Sequence, residues 1–334
     1  MSKNILLLVR KKRLGNHSFE RLYSQLQYEF IKRHSVVNLT LLEARFVNLV
    51  ILFFNQFKFH RIHFTGGSTW YMLFYFYPEK LLTIHDCYKL RYWIDKPRFL
   101  GGMQSWLYKY LYFNLPMHFA TKVSCPSEFT IRELANLYPR VNDNKYVHLP
   151  NFLILQDNFT ISENIDKINS VLLMGSSHNK NIYISLCALS KVQQKLKIYK
   201  TGFFTPVELQ ILGTYNIDFE ELGFVSDSDI ALYLSKSDVL LFPSYYEGFG
   251  LPIIESQYYN TLVITSRISP CREILQTDLF LVNPYDSDDI AEKIETVLSL
   301  TDSNKAKLKL INHENSRRYL MDNLFDLYEE FYMN

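Results

Sequence analysis

Residues 238–266 read DVLLFPSYYEGFGLPIIESQYYNTLVITS, and the way this stretch divides decides the fold. Val239–Phe242 has the length and composition of a buried strand. It stops at Pro243 and Ser244, and a loop with Glu247, Gly248, Phe249 and Gly250 follows. The apolar pattern resumes after Leu251 and Pro252, and Leu262–Thr265 is a second strand-like run. The unit is strand, glycine-containing loop, helix opening at Pro252, strand. Proline suits a first helical turn because it has no N–H to leave unpaired. A helix start offers free N–H groups and a partial positive charge, and the glycines let the backbone approach a ligand. Glu247 on the loop and Glu255, expected in the first helical turn, flank that place.

Outward from this unit the chain alternates strands and helices in two runs. In the first, strands are expected at Asn4–Val9, Val36–Leu41, Arg61–Phe64, Leu81–Ile84, Lys122–Cys125 and Lys145–Leu149. Helices are expected from Phe19 with Ser18 as its N-cap, over Gln104–Tyr112, and over Glu128–Leu137 with Ser127 as its N-cap. Residues 152–169 lose periodicity and read as a linker. In the second run, strands fall at Ser170–Met174, Leu196–Tyr199, Ile217–Phe224, Val239–Phe242, Leu262–Thr265 and Leu279–Val282, and the tail 305–332 reads as helical. Such alternation argues for an α/β protein of two Rossmann-like, doubly wound domains facing a central cleft. The expected division is 1–155, joined by a C-terminal helix at about 312–334 that returns to it, and 156–311.

Composition excludes several classes. The net charge of +2 over 334 residues gives no field suited to nucleic acid. Cys87, Cys125, Cys187 and Cys271 are widely spaced, which fits reduced thiols rather than a metal or redox pair. The opening MSKNILLLVRKK has too short an apolar run for a secretory signal, and no segment reaches the roughly 18–20 apolar residues of a membrane span. A cytoplasmic protein, or one peripheral to the inner face of the plasma membrane, is expected.

Paired carboxylates suggest acid–base chemistry, but a helix N-terminus stabilises the ionised form and disfavours a proton donor. Glu247 and Glu255 are therefore better suited to accepting hydrogen bonds from sugar hydroxyls. Lys180, in Gly-Ser-Ser-His-Asn-Lys-Asn, follows a strand, where open α/β sheets bind ligands, and suits an anion. His85 and Asp86 hold the equivalent place in the first run, where they bind hydroxyls, orient an acceptor or serve structure. Arg10–Arg13 follows the first strand and reads as an anion or membrane-phosphate contact or as a solvated loop. Trp106, Tyr108, Lys109, Tyr110 and Tyr112 read as a lipid contact or as a core face. Asp227/Asp229 and Asp286/Asp288 imitate metal-binding Asp-x-Asp motifs. Each precedes a helical pattern, where Ser226 and Ser287 with the following acids read as caps.

The run Phe242-Pro-Ser-Tyr-Tyr-Glu-Gly-Phe-Gly-Leu-Pro-Ile-Ile-Glu255 resembles the signature of glycosyltransferase family 4, retaining GT-B sugar-nucleotide transferases. Thr83-Ile-His-Asp86, Val123–Ser127, Leu149-Pro-Asn151, Met174–Asn181 and Asp278–Pro284 agree with that family's motifs in order. By this resemblance Glu255 holds the nucleotide ribose. Glu247, with the backbone of Gly248, Phe249, Gly250 and Leu251, holds the donor sugar. Lys180 meets the diphosphate, Phe224 and Val225 offer backbone groups to the base, and His85 reaches into the cleft. Asp86 and Gly15 stand on the acceptor side. Relatives often carry an arginine in the phosphate loop, and here Ser176 and Asn179 occupy the candidate positions.

The implied enzyme is a retaining, metal-independent hexosyltransferase of bacterial surface polysaccharide synthesis, with no cofactor. It moves a sugar from a nucleotide-diphosphate donor to a saccharide or lipid-linked acceptor. A sugar-nucleotide epimerase, a phosphorylase or a non-catalytic sugar-nucleotide-binding subunit is the alternative.

Overall fold

The computed structural model describes residues 3–9, 18–44, 46–76, 79–95, 102–155 and 169–334. Gly15 and the basic run Arg10–Arg13 lie outside the described residues, as does most of the expected linker. The chain forms two compact units, Met1–Ile154 with Leu324–Asn334, and Leu155–Asn323.

Among the described residues, the first unit holds six strands: β1 (Lys3–Val9), β2 (Val37–Glu43), β3 (Arg61–Thr65), β4 (Glu79–Thr83), β5 (Lys122–Cys125) and β6 (Tyr146–His148). They pair in parallel in the order β2-β1-β3-β4-β5-β6. Ile5–Val9 are buried without alternation, because both faces of a parallel sheet are covered. Leu22, Tyr23, Leu26 and Phe30 of the helix Ser18–Lys32 form a buried stripe at helical spacing. Ser127 caps the helix Glu128–Leu137, accepting from Thr130 N–H. The helix Met321–Met333 completes this unit from Leu324 onward. Phe325 packs on Phe30, Tyr328 Oη donates to Pro150 O at 2.9 Å, and Arg61 Nη1 donates to Tyr332 O at 2.9 Å.

The second unit holds, among the described residues, β7 (Asn169–Leu173), β8 (Leu196–Thr201), β9 (Asp218–Gly223), β10 (Val239–Phe242), β11 (Leu262–Ser266) and β12 (Leu281–Val282). They are parallel in the order β12-β11-β10-β7-β8-β9. Counted within the unit this is the doubly wound order 3-2-1-4-5-6, reversed in direction. The order turns between β7 and β10, and the crevice outside the carboxyl ends of those two strands is where such sheets bind ligands.

Three local expectations change. The helix after β10 is Leu251–Tyr258, one residue earlier than Pro252, because Gly250 at φ +113° turns the chain into it. Glu255 therefore lies beyond the first turn. The tail is two helices, Asp302–Arg317 and Met321–Met333, with residues 312–323 in the second unit. There Asn315 Nδ2 donates to Gln257 Oε1 at 3.0 Å and Arg318 Nη2 to Ile274 O at 3.0 Å. The cap of Ser287–Leu298 is Asp286, whose carboxylate accepts from Asp288 and Asp289 N–H, so Ser287 opens the helix instead.

Candidate functional site

Lys180 and Glu247 meet at the switch of the second sheet. Lys180 follows β7 in a short 3-10 turn, His178–Lys180, and Glu247 follows β10. Lys180 Nζ donates to Glu247 Oε1 at 2.7 Å and lies 4.4 Å over the ring of Phe242. Their side chains are 20% and 10% exposed, so the ion pair is largely withdrawn from water but open at one side. Gly175, at φ +85°, makes room for this lysine, since a Cβ there would stand 3.1 Å from Lys180 Cγ.

The two loops are latched by backbone and amide contacts. Tyr245 N donates to Asn179 O at 2.9 Å, and Asn179 Nδ2 to Tyr246 O at 3.1 Å. Asn181, in the left-handed region at φ 57°, buries its amide and donates from Nδ2 to Pro243 O at 3.0 Å and Pro284 O at 2.6 Å. Asparagine is among the few residues that take this conformation readily. The candidate pair thus sits on loops held at several points.

The other expected donor residues divide by position. Gly248 and Leu251 are half-buried beside Glu247, and Glu255 is half-buried on the helix that follows. The Phe249 side chain is buried against the edge of Tyr319, 5.6 Å between ring centres, so this residue presents backbone rather than ring. Phe224 and Val225 follow β9, the edge strand two places from β7, and the Phe224 ring is 81% exposed against the edge of Phe203. They do not join the Lys180–Glu247 cluster directly. Ser226 and Asp229 form a capping box for the helix Asp227–Lys236, which accounts for this Asp-x-Asp pair as helix chemistry.

In the first unit, His85 and Asp86 line a pocket of about 210 Å³ with Tyr23, Thr65, Tyr108 and Tyr112 among its walls. Val9 and Thr65, also in the wall, end β1 and β3, where this sheet's strand order turns. His85 Nε2 is hydrogen-bonded to Tyr23 Oη at 3.0 Å, and Asp86 Oδ1 accepts from Tyr88 N–H at 3.0 Å. Burial raises the Tyr23 hydroxyl pKa, so this hydroxyl stays protonated. Beneath the pocket His63 bonds Tyr332 Oη at 2.9 Å and Thr83 Oγ1 at 2.6 Å. Burial, aided by His85, lowers its pKa to about 3.

The aromatic segment splits between pocket and surface. Tyr108 and Tyr112 stack at 4.6 Å along the pocket, whereas Trp106 and Tyr110 stack at 5.1 Å and are 60% and 37% exposed. The helix Gly102–Lys109 passes into a π-helical turn, Tyr110–Asn114, in place of the single helix expected there. Trp106 and Tyr110 therefore do not form the core face that is one of the two expectations for this segment.

Lys200 is a residue the sequence pattern hides. The apolar run ends at Tyr199, but β8 continues to Thr201, and Leu196, Ile198 and Lys200 share its buried face. Period-two counting from Leu196 is the signal that finds it.

Residues 208–313 match the family described as Glycosyl transferases group 1. The serotype-specific mannosyltransferase WbdA of Escherichia coli is 29% identical over 94 residues, which are 27% of this chain and 12% of that protein. The O-antigen chain mannosyltransferase RfbU of Salmonella typhimurium is 37% identical over 79 residues, 24% of this chain and 22% of that protein. The matches thus span less than a quarter of these relatives' lengths. The solved structure of HepE from Anabaena, in complex with UDP and glucose, superposes with TM-score 0.73 at 14% identity, covering 98% of both chains. Sucrose-phosphate synthase from Thermosynechococcus elongatus superposes with TM-score 0.75 at 18% identity, covering 99% of both. The chain thus holds a segment that matches the group 1 glycosyl transferases within a two-domain, Rossmann-like GT-B fold.

Proposed function

We propose that the chain is a retaining, metal-independent glycosyltransferase of family 4. In this reading it moves a hexose-type sugar from a nucleotide-diphosphate donor to a saccharide or lipid-linked saccharide acceptor, within bacterial surface polysaccharide synthesis. The observation that carries it is the Lys180–Glu247 pair at the strand-order switch of the second sheet. The mannosyltransferase and O-antigen names of matched relatives support it.

Lys180 meets the charge that develops on the leaving diphosphate, aided by the N-terminus of the helix Leu251–Tyr258. Glu247 turns its carboxylate to the hydroxyls of the donor sugar, with the backbone of Gly248–Leu251, and Glu255 takes the ribose. Phe224 and Val225 serve the base. The pocket with His85, Asp86 and stacked tyrosines takes the acceptor, because sugar rings present one apolar face to aromatics and hydroxyls to polar groups. The donor C1–O bond breaks as the acceptor oxygen bonds to C1 from the same side, and a diphosphate oxygen receives the acceptor's proton. No covalent cofactor enters this step. The work is done in the cytoplasm or on the inner face of the membrane.

A thermal-shift screen against UDP-, GDP- and dTDP-sugars tests the donor half, since a ligand bound to the folded state raises the melting temperature. A donor–acceptor assay with anomeric analysis of the product follows. An epimerised nucleotide sugar from donor alone, or an inverted linkage, would overturn the reading.

A further inference from the structure

Lys200 is fully buried, yet its ammonium meets no carboxylate at ion-pairing distance among the described residues. Nζ donates to Gly175 O at 3.2 Å, Thr201 O at 3.1 Å and Ser176 Oγ at 3.0 Å. The nearby acids act on it only through space, without direct contact: Glu208 accepts from Thr205 N–H at 2.7 Å, and Glu221 from Phe204 N–H at 2.5 Å. A buried cation with no directly paired carboxylate is costly, and burial lowers the Lys200 pKa, a shift that Glu208 and Glu221 oppose only in part. Such a charge is retained where an anion arrives to offset it.

The direction of that offset follows from hydrogen-bond chemistry. An ammonium has three donors and no acceptor, so Ser176 Oγ receives its hydrogen and must send its own elsewhere. Ser176 is exposed, and its free direction is outward from the loop that follows β7. A hydroxyl that accepts from a cation is polarised and becomes a stronger donor. Gly202, at φ +81°, makes the arrangement possible, because a Cβ there would stand 2.5 Å from Ser176 Oγ.

We infer that Lys200 and Ser176 form a relay at the diphosphate site, in which Ser176 Oγ–H donates to a phosphate oxygen and Lys200 orients and polarises it. Lys200 is a positioning residue that supplies from β8 the second positive charge that the loop itself lacks. The inference rests on the proposed donor reading and adds the residues that hold its diphosphate.

The test compares binding of UDP, GDP and ADP with binding of uridine, guanosine and adenosine by calorimetry, on the whole chain. Lys200→Met and Ser176→Ala are each expected to weaken the diphosphate that binds by about tenfold, the cost of one charge-assisted hydrogen bond. The matching nucleoside keeps its affinity, and the double variant is no weaker than Lys200→Met alone. Unchanged diphosphate affinity, equal loss of nucleoside, or fully additive losses would overturn the relay while leaving the donor reading intact. If the unaltered chain binds none of the diphosphates, relay and donor reading fall together. Should Lys200→Met fail to fold, Ser176→Ala carries the comparison, since its side chain is exposed.

Discussion

Lys180 Nζ and Glu247 Oε1 are 2.7 Å apart, though their residues stand 67 positions apart in the chain. In the proposed function, each partner neutralises the other until a donor brings both a negative diphosphate and hydroxyl donors. Lys180→Ala and Glu247→Ala should each abolish transfer, read as product formation, while circular dichroism shows the fold retained. Breaking a partly buried pair leaves the other charge unpaired, a cost of about 1–3 kcal/mol in unfolding free energy. The double variant should be less destabilised than the sum of the singles, since neither charge is then stranded. Additive losses in urea titrations would mean the contact contributes nothing.

Asn181→Ala should destabilise the second unit. Its buried amide serves Pro243 O and Pro284 O, and both carbonyls would lose a partner. The expected loss is about 2–4 kcal/mol, and Asn181→Gly should lose the same bonds while relieving the left-handed backbone. Calorimetry would therefore order the melting temperatures as native, then glycine, then alanine.

His63 should make the first unit sensitive to mild acid. Its pKa is about 3 when folded against an ordinary 6.5, so the unfolded chain binds the proton first. The contribution is intact above about pH 6.5 and is lost as pH falls toward about 3. Between pH 7 and pH 5 this one group removes about 2 kcal/mol. Denaturant titrations of His63→Gln should show a shallower loss over that interval, and equal slopes would refute the assignment.

The stacked tyrosines should govern the acceptor alone. Tyr108→Ala and Tyr112→Ala are expected to raise the acceptor KM about tenfold, in line with the loss of one aromatic packing contact, with the donor KM unchanged. Trp106→Ala, on the exposed side of the same segment, should leave both constants as they were.

Much of the second sheet was legible because buried parallel strands are continuous apolar runs, as at Val239–Phe242 and Leu262–Thr265. Lys180 and Glu247 could be found for the same reason, since each follows such a run. Their contact could not be read, because it depends on the pairing of β7 with β10. Lys200 was hidden by its charge, which ends the apolar run two residues before the strand ends. Around Trp106 aromatics fall on two opposite sides of the helix, so neither face stands out as the buried one, and the π-helical turn has no sequence period of its own. The pocket beside His85 is assembled from β1, β3 and β4 ends together with that turn, a convergence that only tertiary structure reveals.

The helix Met321–Met333 gives the first unit a timetable. His63 is bonded to Tyr332 Oη, and Lys3 Nζ donates to Met333 O, so the first strand and the last turn share one fold. The unit made first on the ribosome is thus finished last, after all of Leu155–Asn323 has been synthesised. The second unit, continuous in sequence, has been synthesised whole before that moment. A nascent chain halted at about residue 320 would carry a complete second sheet and a first sheet still open along the surface that Tyr328, Phe331 and Tyr332 cover.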